Sequence, residues 1–192
     1  MLERGDHRNG EIEIRRENKI FENRYVEVYN DEVMFPSANE GTYIRVHCKP
    51  GKGVAVLPIT VDGRIIVIKN YRHGMRGWGL EIPKGAVEGS ESFEEGAKRE
   101  LMEETGFTCE ELIPLGEYSE SPAIFTGKLT CFIANGCSFS DCPTPEKTEA
   151  ISNVLTLSVE EFFKQREGLD FVDAISELLI YKYLASKVGE EK

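Results

Sequence analysis

Apolar positions along this chain first change period at Ser92. Up to residue 68 they alternate with polar ones or gather in short β-branched runs, which is strand behaviour. Tyr25-Val26-Glu27-Val28-Tyr29 alternates, Asn30-Asp31 supplies turn chemistry and Glu32-Val33-Met34-Phe35 returns, so residues 18–35 are expected to form a hairpin. Residues 42–48 have β character again. Residues 54–59 and 64–68 are denser in β-branched side chains with Asp62-Gly63 between them, and are expected to be central strands of the main sheet. From Ser92 the period lengthens: Phe93, Ala97 and Leu101 recur every fourth residue, on one face of a helix. Ser92 with Glu95 forms a capping box and Gly106 a terminator, which predicts a helix from Ser92 to Thr105. Further strands are expected at residues 112–118, 129–134 and 152–157. Ser158 with Glu161 offers a second capping box, and Asp170 a cap for a final helix ending near Lys187. Strands with helices among and after them predict a mixed α/β sandwich. The first 48 residues form its β-rich N-terminal segment, and residues 49–192 the main domain.

Length and composition narrow the class. A chain of 192 residues suits one domain with a modest extension, and a 40% hydrophobic, 30% charged composition is that of a globular protein in water. The net charge of -11 argues against a nucleic-acid partner, because general binders carry enough Lys and Arg to displace phosphate counterions. A small anionic substrate stays compatible where metal ions and local basic groups offset the repulsion. Cys48, Cys109, Cys131, Cys137 and Cys142 form no CxxC pair and no even disulfide framework, which points to a reducing cytosol. The first eight residues lack the apolar run of a secretory signal, and no apolar stretch approaches membrane-spanning length. A cytoplasmic protein without a membrane partner is expected, its polar first ten residues mobile.

Candidate chemistry concentrates between Gly85 and Phe107. On a helix, Glu100, Glu103 and Glu104 stand at i, i+3 and i+4, so their carboxylates share one face. A hard divalent cation, Mg²⁺ or Mn²⁺, would relieve their mutual repulsion. Taken alone, such a cluster reads more simply as a solvated acidic face. The wider spacing changes that: Gly85, five residues, Glu91, seven residues, then Arg99-Glu100-Leu101-Met102-Glu103-Glu104-Thr105-Gly106-Phe107. This segment resembles the Nudix hydrolase family, whose box is GX5EX7REUXEEXGU with U apolar, and every specified position matches. The resemblance implies a Nudix-type α/β/α sandwich with a mixed β-sheet, and metal-dependent hydrolysis of a nucleoside diphosphate linked to another group. It assigns Glu100, Glu103 and Glu104 to the metal, with the backbone carbonyl at Lys84, beside Gly85, as a further ligand. Glu91 and Arg99 would hold loop and helix together, while Gly85 and Gly106 shape the loop and the helix exit. Plain helix capping for Gly106 and a surface ion pair for Arg99 remain open.

Outside the box, Asn70-Tyr71-Arg72-His73, Trp78-Gly79-Leu80-Glu81-Ile82-Pro83 and Ser121-Pro122 look like the ADP-ribose pyrophosphatase branch, Pro122 lying sixteen residues after Gly106. That branch implies ADP-ribose as substrate, AMP and ribose 5-phosphate as products, and a homodimer whose N-terminal segments help build both pockets. Arg72 and Arg45 would grip the diphosphate, Glu81 would reach the metal or the substrate, Pro122 would line the substrate, and Phe21, Tyr25 or Tyr29 would stack on a base. Strand burial for the aromatics, a turn for Pro122 and a structural hydrogen bond for Glu81 stay open. Lys84 stands where a small residue is common and Ala123 where glycine is frequent, which leaves other nucleotide sugars and dinucleoside polyphosphates as alternatives. The general base is sought in the loop at residues 143–149, with Glu149 first and Glu146 second, then Glu103 within the box; a plain exposed loop charge is the alternative for either loop glutamate. A noncatalytic nucleotide-binding module of the same fold is the competing class, and the intact carboxylate set counts against it.

Overall fold

The computed structural model describes residues 4–49 and 51–190. The chain forms two compact units: Met1–Gly51 with Ser119–Lys128, and Lys52–Tyr118 with Leu129–Lys192.

In the first unit, β1 (Glu13–Arg16), β2 (Lys19–Glu22), β3 (Val26–Met34) and β4 (Glu40–Cys48) make one antiparallel sheet. β1 and β2 share one edge of β3, and β4 runs along the other for its full length. The turn expected at Asn30-Asp31 is absent, and β3 passes straight through it. The buried Asp31 carboxylate accepts Arg45 Nε at 2.8 Å and the Asn18 N–H at 3.2 Å. Those long-range partners outcompete the local bonds by which Asp and Asn otherwise nucleate turns. The chain turns instead where Asn23 Oδ1 accepts the N–H groups of Tyr25 and Val26, both at 2.8 Å, and at residues 35–39. Residues 119–128, read from the sequence as part of the main domain, group with this unit: the Val46 N–H donates to the Ile124 carbonyl at 2.8 Å and the Thr126 N–H to the Val46 carbonyl at 3.1 Å. The opening residues, expected to be mobile, carry a short 3-10 turn at His7–Asn9 capped by the Asp6 side chain. Met1–Glu3 lie outside the described residues.

The second unit contains β5 (Lys52–Thr60), β6 (Ile65–Arg72), β7 (Gly77–Glu81), β8 (Lys84–Ala86), α1 (Phe93–Thr105), β9 (Phe107–Thr108), β10 (Glu111–Tyr118), β11 (Lys128–Phe139), β12 (Ile151–Leu157), α2 (Val159–Arg166) and α3 (Ala174–Glu190). Its eight-stranded sheet runs β10-β11-β5-β6-β12, with β7 on β6, β8 on β5 and β9 on β11. Successive side chains of a strand face opposite ways, and here both faces are covered. Val54, Val56, Ile66, Phe132 and Ala134 pack against Ala97 and Leu101 of α1. Ala55, Leu57, Ile65, Val67 and Ile133 pack against Phe162 of α2 and Ile175, Leu179 and Ile180 of α3. Two-faced burial explains why β5 and β6 read as unbroken apolar runs. The result is the α/β/α sandwich expected from the sequence. Both capping boxes form as read. Ahead of the last helix, however, Asp173 rather than Asp170 caps the first turn, accepting the Ser176 N–H at 2.9 Å; Asp170 accepts the Trp78 N–H at 2.7 Å. Among the described residues no helix is long and apolar enough to cross a membrane.

Because Leu101 is fully buried between α1 and the sheet, Leu101→Ala is expected to remove about 2–5 kcal/mol of stability. The urea midpoint should fall at unchanged slope, and a loss below about 1 kcal/mol would show that α1 does not rely on this contact.

Candidate active site

α1 presents its carboxylates in two directions. At roughly 100° per residue, a residue four on is offset by about 40° one way and a residue three on by about 60° the other way, so that Glu103 and Glu104 stand about 100° apart. Glu100 and Glu104 therefore point the same way, into the protein, and Glu104 is only 1% exposed. Glu103 lies on the flank with 37% of its side chain exposed. The third carboxylate of the inward cluster comes from the loop before β12: oxygens of Glu100, Glu104 and Glu149 lie within 4.8 Å of one another. That loop is tied to α1 by the Thr144 N–H, which donates to the Glu103 carbonyl at 2.8 Å. Glu149 is half-buried, its carboxylate accepting the Glu146 N–H at 2.8 Å, whereas Glu146 itself is exposed and accepts Thr148 Oγ1 at 3.1 Å.

Gly85 closes over the cluster. A Cβ there would sit 2.1 Å from Glu100 Oε1, so only glycine lets the loop backbone approach this carboxylate. Next to it, the Lys84 N–H donates to Glu104 Oε2 at 3.2 Å. Burial, reinforced by the Glu149 and Glu100 charges, pushes the Glu104 carboxyl up to about 9. Burial likewise pushes Glu100 up to about 7, against the pull of Arg99.

Arg99 binds the loop to the helix. Its Nη2 donates to Glu91 Oε1 and to the Ala86 carbonyl, both at 2.7 Å, while Nη1 reaches Glu100 Oε1 at 2.9 Å and Glu103 Oε2 at 3.0 Å. Glu91 also accepts the Glu88 N–H at 2.6 Å, which shapes the turn before α1. At the helix exit, Gly106 has φ 77°, and a Cβ there would fall 2.0 Å from the Asp141 carbonyl oxygen.

A second charged group lies along β6 and β7. Arg72 grips the buried Glu81 carboxylate through Nε at 2.9 Å and Nη2 at 2.5 Å. Its charge is also favoured by Glu104 and Asp173. Lys84 Nζ stands 3.5 Å from Glu81 Oε2 and 2.5 Å from Asp173 Oδ1. Burial opposes ionisation of Asp173, yet Lys84 and the Ser176 donors outweigh it and hold that carboxyl below its usual range. Sequence reading missed Asp173 and Ser176; an Asp three residues before a Ser at the start of an apolar helix was the available capping signal.

Arg45 and Pro122 fall in the first unit, where both line a cavity of about 260 Å³ with Asp31, Tyr43, Ala123 and Phe125. The Arg45 guanidinium lies 4.1 Å from the centroid of the half-buried Tyr29 ring. Phe21 and Tyr25 are about half exposed.

The raised carboxyls fix the sign of a pH effect. Glu100 and Glu104 hold protons in the folded chain that the unfolded chain, at 4.5, has released. Metal-free stability therefore falls as pH rises from about 5 to 9. Glu91 and Asp173, whose values are lowered, contribute stability that is already complete above the unfolded range and do not alter this window. In chelator, the Tm should drop by at least about 5 °C across the window, and Glu104→Gln should flatten the curve. A level native profile would show that the two carboxylates are not desolvated as described.

Comparison with known proteins agrees with this arrangement. The NUDIX domain family model matches residues 49–175. An ADP-ribose pyrophosphatase of Bacillus subtilis is 29% identical over 156 residues, 81% of this chain and 83% of that protein. The ADP compounds hydrolase NudE of Escherichia coli is 30% identical over 115 residues, 60% of this chain and 61% of that one. Among solved structures, an ADP compounds hydrolase superposes with a TM-score of 0.75 at 24% identity, covering 92% of this chain and 95% of its own, a likeness of fold. With the box residues gathered around one buried carboxylate cluster and the family model spanning most of the chain, the protein belongs to the Nudix family and is a Nudix pyrophosphohydrolase.

Proposed function

We propose that this enzyme hydrolyses ADP-ribose to AMP and ribose 5-phosphate with Mg²⁺ or Mn²⁺. The observation that carries the reading is the cluster of Glu100, Glu104 and Glu149, whose near neighbour in charge is the Arg72 guanidinium. The names of the Bacillus subtilis and Escherichia coli relatives support an ADP-linked substrate. Buried carboxylates whose ionisation the protein alone disfavours fit a hard divalent cation, since its charge offsets the repulsion that raises them. Glu100 and Glu104 would hold it, with Glu103 and the Lys84 carbonyl completing the set. When bound, such a cation acidifies water and draws charge from the diphosphate oxygens.

The chain's own groups divide the remaining work. Arg72, 41% exposed and aimed by Glu81, would grip the diphosphate through the N–H groups that Glu81 does not engage. Glu149 takes the proton of the attacking water as the new P–O bond forms and the bridging P–O bond breaks. It is preferred to Glu146, which is exposed, and to Glu103, which Arg99 engages. Arg99 keeps Glu100 and Glu103 in place. The five free thiols support a reducing, cytoplasmic compartment. Exposed apolar side chains of the first unit, among them Ile20, Phe21, Tyr25 and Ile44, support a homodimer formed through that sheet.

Mass-resolved assay of ADP-ribose beside ADP-glucose, GDP-mannose and dinucleoside polyphosphates is expected to give metal-dependent AMP and ribose 5-phosphate as the fastest reaction. Preference for another compound would discard the ADP-ribose reading, and no turnover of any would favour a binding module. Glu149→Gln is expected to lower kcat by about 10²-fold or more with little change in KM; a loss of less than about threefold would move the base elsewhere. Light scattering should report twice the 21.6 kDa chain mass, falling to one copy in Phe21→Glu/Ile44→Glu. A native mass of 21.6 kDa would remove the dimer.

A further inference from the structure

We infer that Asp173, at the start of α3, is a positioning residue for the diphosphate grip and acts through Lys84 and Glu81 on Arg72. The inference rests on the proposed role of Arg72. Glu81 is 1% exposed, and a carboxylate so buried requires cationic partners throughout. Arg72 supplies one as a two-point fork on both oxygens. Lys84 is the second cation in reach, 3.5 Å from Oε2, the same oxygen that Arg72 Nη2 holds. What keeps Lys84 at that distance is Asp173, which takes its ammonium at 2.5 Å.

The anchor itself is rigid. Asp173 Oδ2 accepts the Ser176 N–H at 2.9 Å and Ser176 Oγ at 2.5 Å, and Ser176 Oγ in turn accepts the Ile82 N–H at 3.0 Å. One carboxylate thus holds both sides of the segment that joins Glu81 to Lys84. Without its charge, Lys84 turns fully to Glu81 and competes with Arg72 for Oε2. The fork loses a point, and a long exposed side chain regains rotamer freedom that substrate must then remove. The added positive charge would favour an anion, but it falls on Lys84, whose ammonium faces Glu81 and Asp173. Loss of aim at the contact itself outweighs it.

Asp173→Asn is the suitable change, because asparagine caps a helix as well as aspartate does while removing the charge. Asp173→Ser, which caps but is too short to reach Lys84, serves as the second variant. With ADP-ribose and Mg²⁺, both are expected to raise KM about tenfold while kcat stays within about twofold and the Tm within a few degrees. In an Arg72→Ala background, Asp173→Asn should raise KM by no more than about twofold further, since residues acting in one chain of contacts are not additive. Full additivity, an unchanged or lowered KM in the single variants, or a kcat loss without a KM change would overturn the inference. ADP-ribose affinity of the same four proteins, measured by calorimetry in chelator, gives the same cycle without turnover. If the native enzyme fails to hydrolyse ADP-ribose, the proposed function falls, while the coupling of Asp173 to Arg72 is still decided by those affinities.

Discussion

Two carboxylates on successive turns of one helix are kept out of water, and much of the second unit is organised around that cost. An ionised carboxylate without compensation is among the least tolerable groups in a protein interior, and here a second, third and fourth crowd the same helix end. The chain answers with Arg99, whose guanidinium bridges the loop and three glutamates, and with a backbone N–H at Lys84 aimed at Glu104. The answer is incomplete, as the raised carboxyls record. Incomplete compensation fits the proposed cation site, because a cluster fully neutralised by arginine and lysine would leave nothing for a metal ion to stabilise.

The packing follows from the same need. Glu100 and Glu104 can face inward only if the helix between them is fixed in rotation, and Ala97 and Leu101 supply that by docking on β5, β6 and β11. The capping box at Ser92 and the left-handed Gly106 fix the helix in length. Gly85 then lets the preceding loop descend on Glu100, and Glu91 with Arg99 locks that loop to the helix. The box is thus a chain of constraints in which each residue type answers a particular contact.

Legibility in the sequence tracked how local each cause was. Capping boxes, the Asp62-Gly63 hairpin and the apolar runs of β5 and β6 depend on near neighbours or on plain burial, and their positions were readable. Asn30-Asp31 misled because the turn chemistry of Asp31 was overridden by Arg45, fourteen positions away. The three-carboxylate face was readable as a set, but not its division, since helical angle separates Glu103 from Glu100 and Glu104 while Arg99 draws it aside. β7 and β8 escaped notice because strands of five and three residues holding Gly and Lys carry no alternation. The Lys84–Asp173 pair joins elements 89 residues apart, and no local pattern announces it.

The same geometry explains why the inward cluster draws on two elements. Residues i, i+3 and i+4 share a helix face, but the i+3 side chain stands about 60° from i and about 100° from i+4, and a residue at i+8 lies about 12 Å along the axis from the first. With Glu103 held on the flank by Arg99, the third carboxylate of the inward cluster is Glu149, from a loop. A loop residue differs from helix residues in one functional respect. Its backbone is held by a few hydrogen bonds, here Thr144 to Glu103 and Glu149 to Glu146, rather than by a helix docked on a core. Helix carboxylates suit a fixed cation, whereas a proton acceptor must adjust to water and substrate as they arrive. The proposed assignment of the cation to α1 and the proton to Glu149 would give each task to the element whose stiffness matches it.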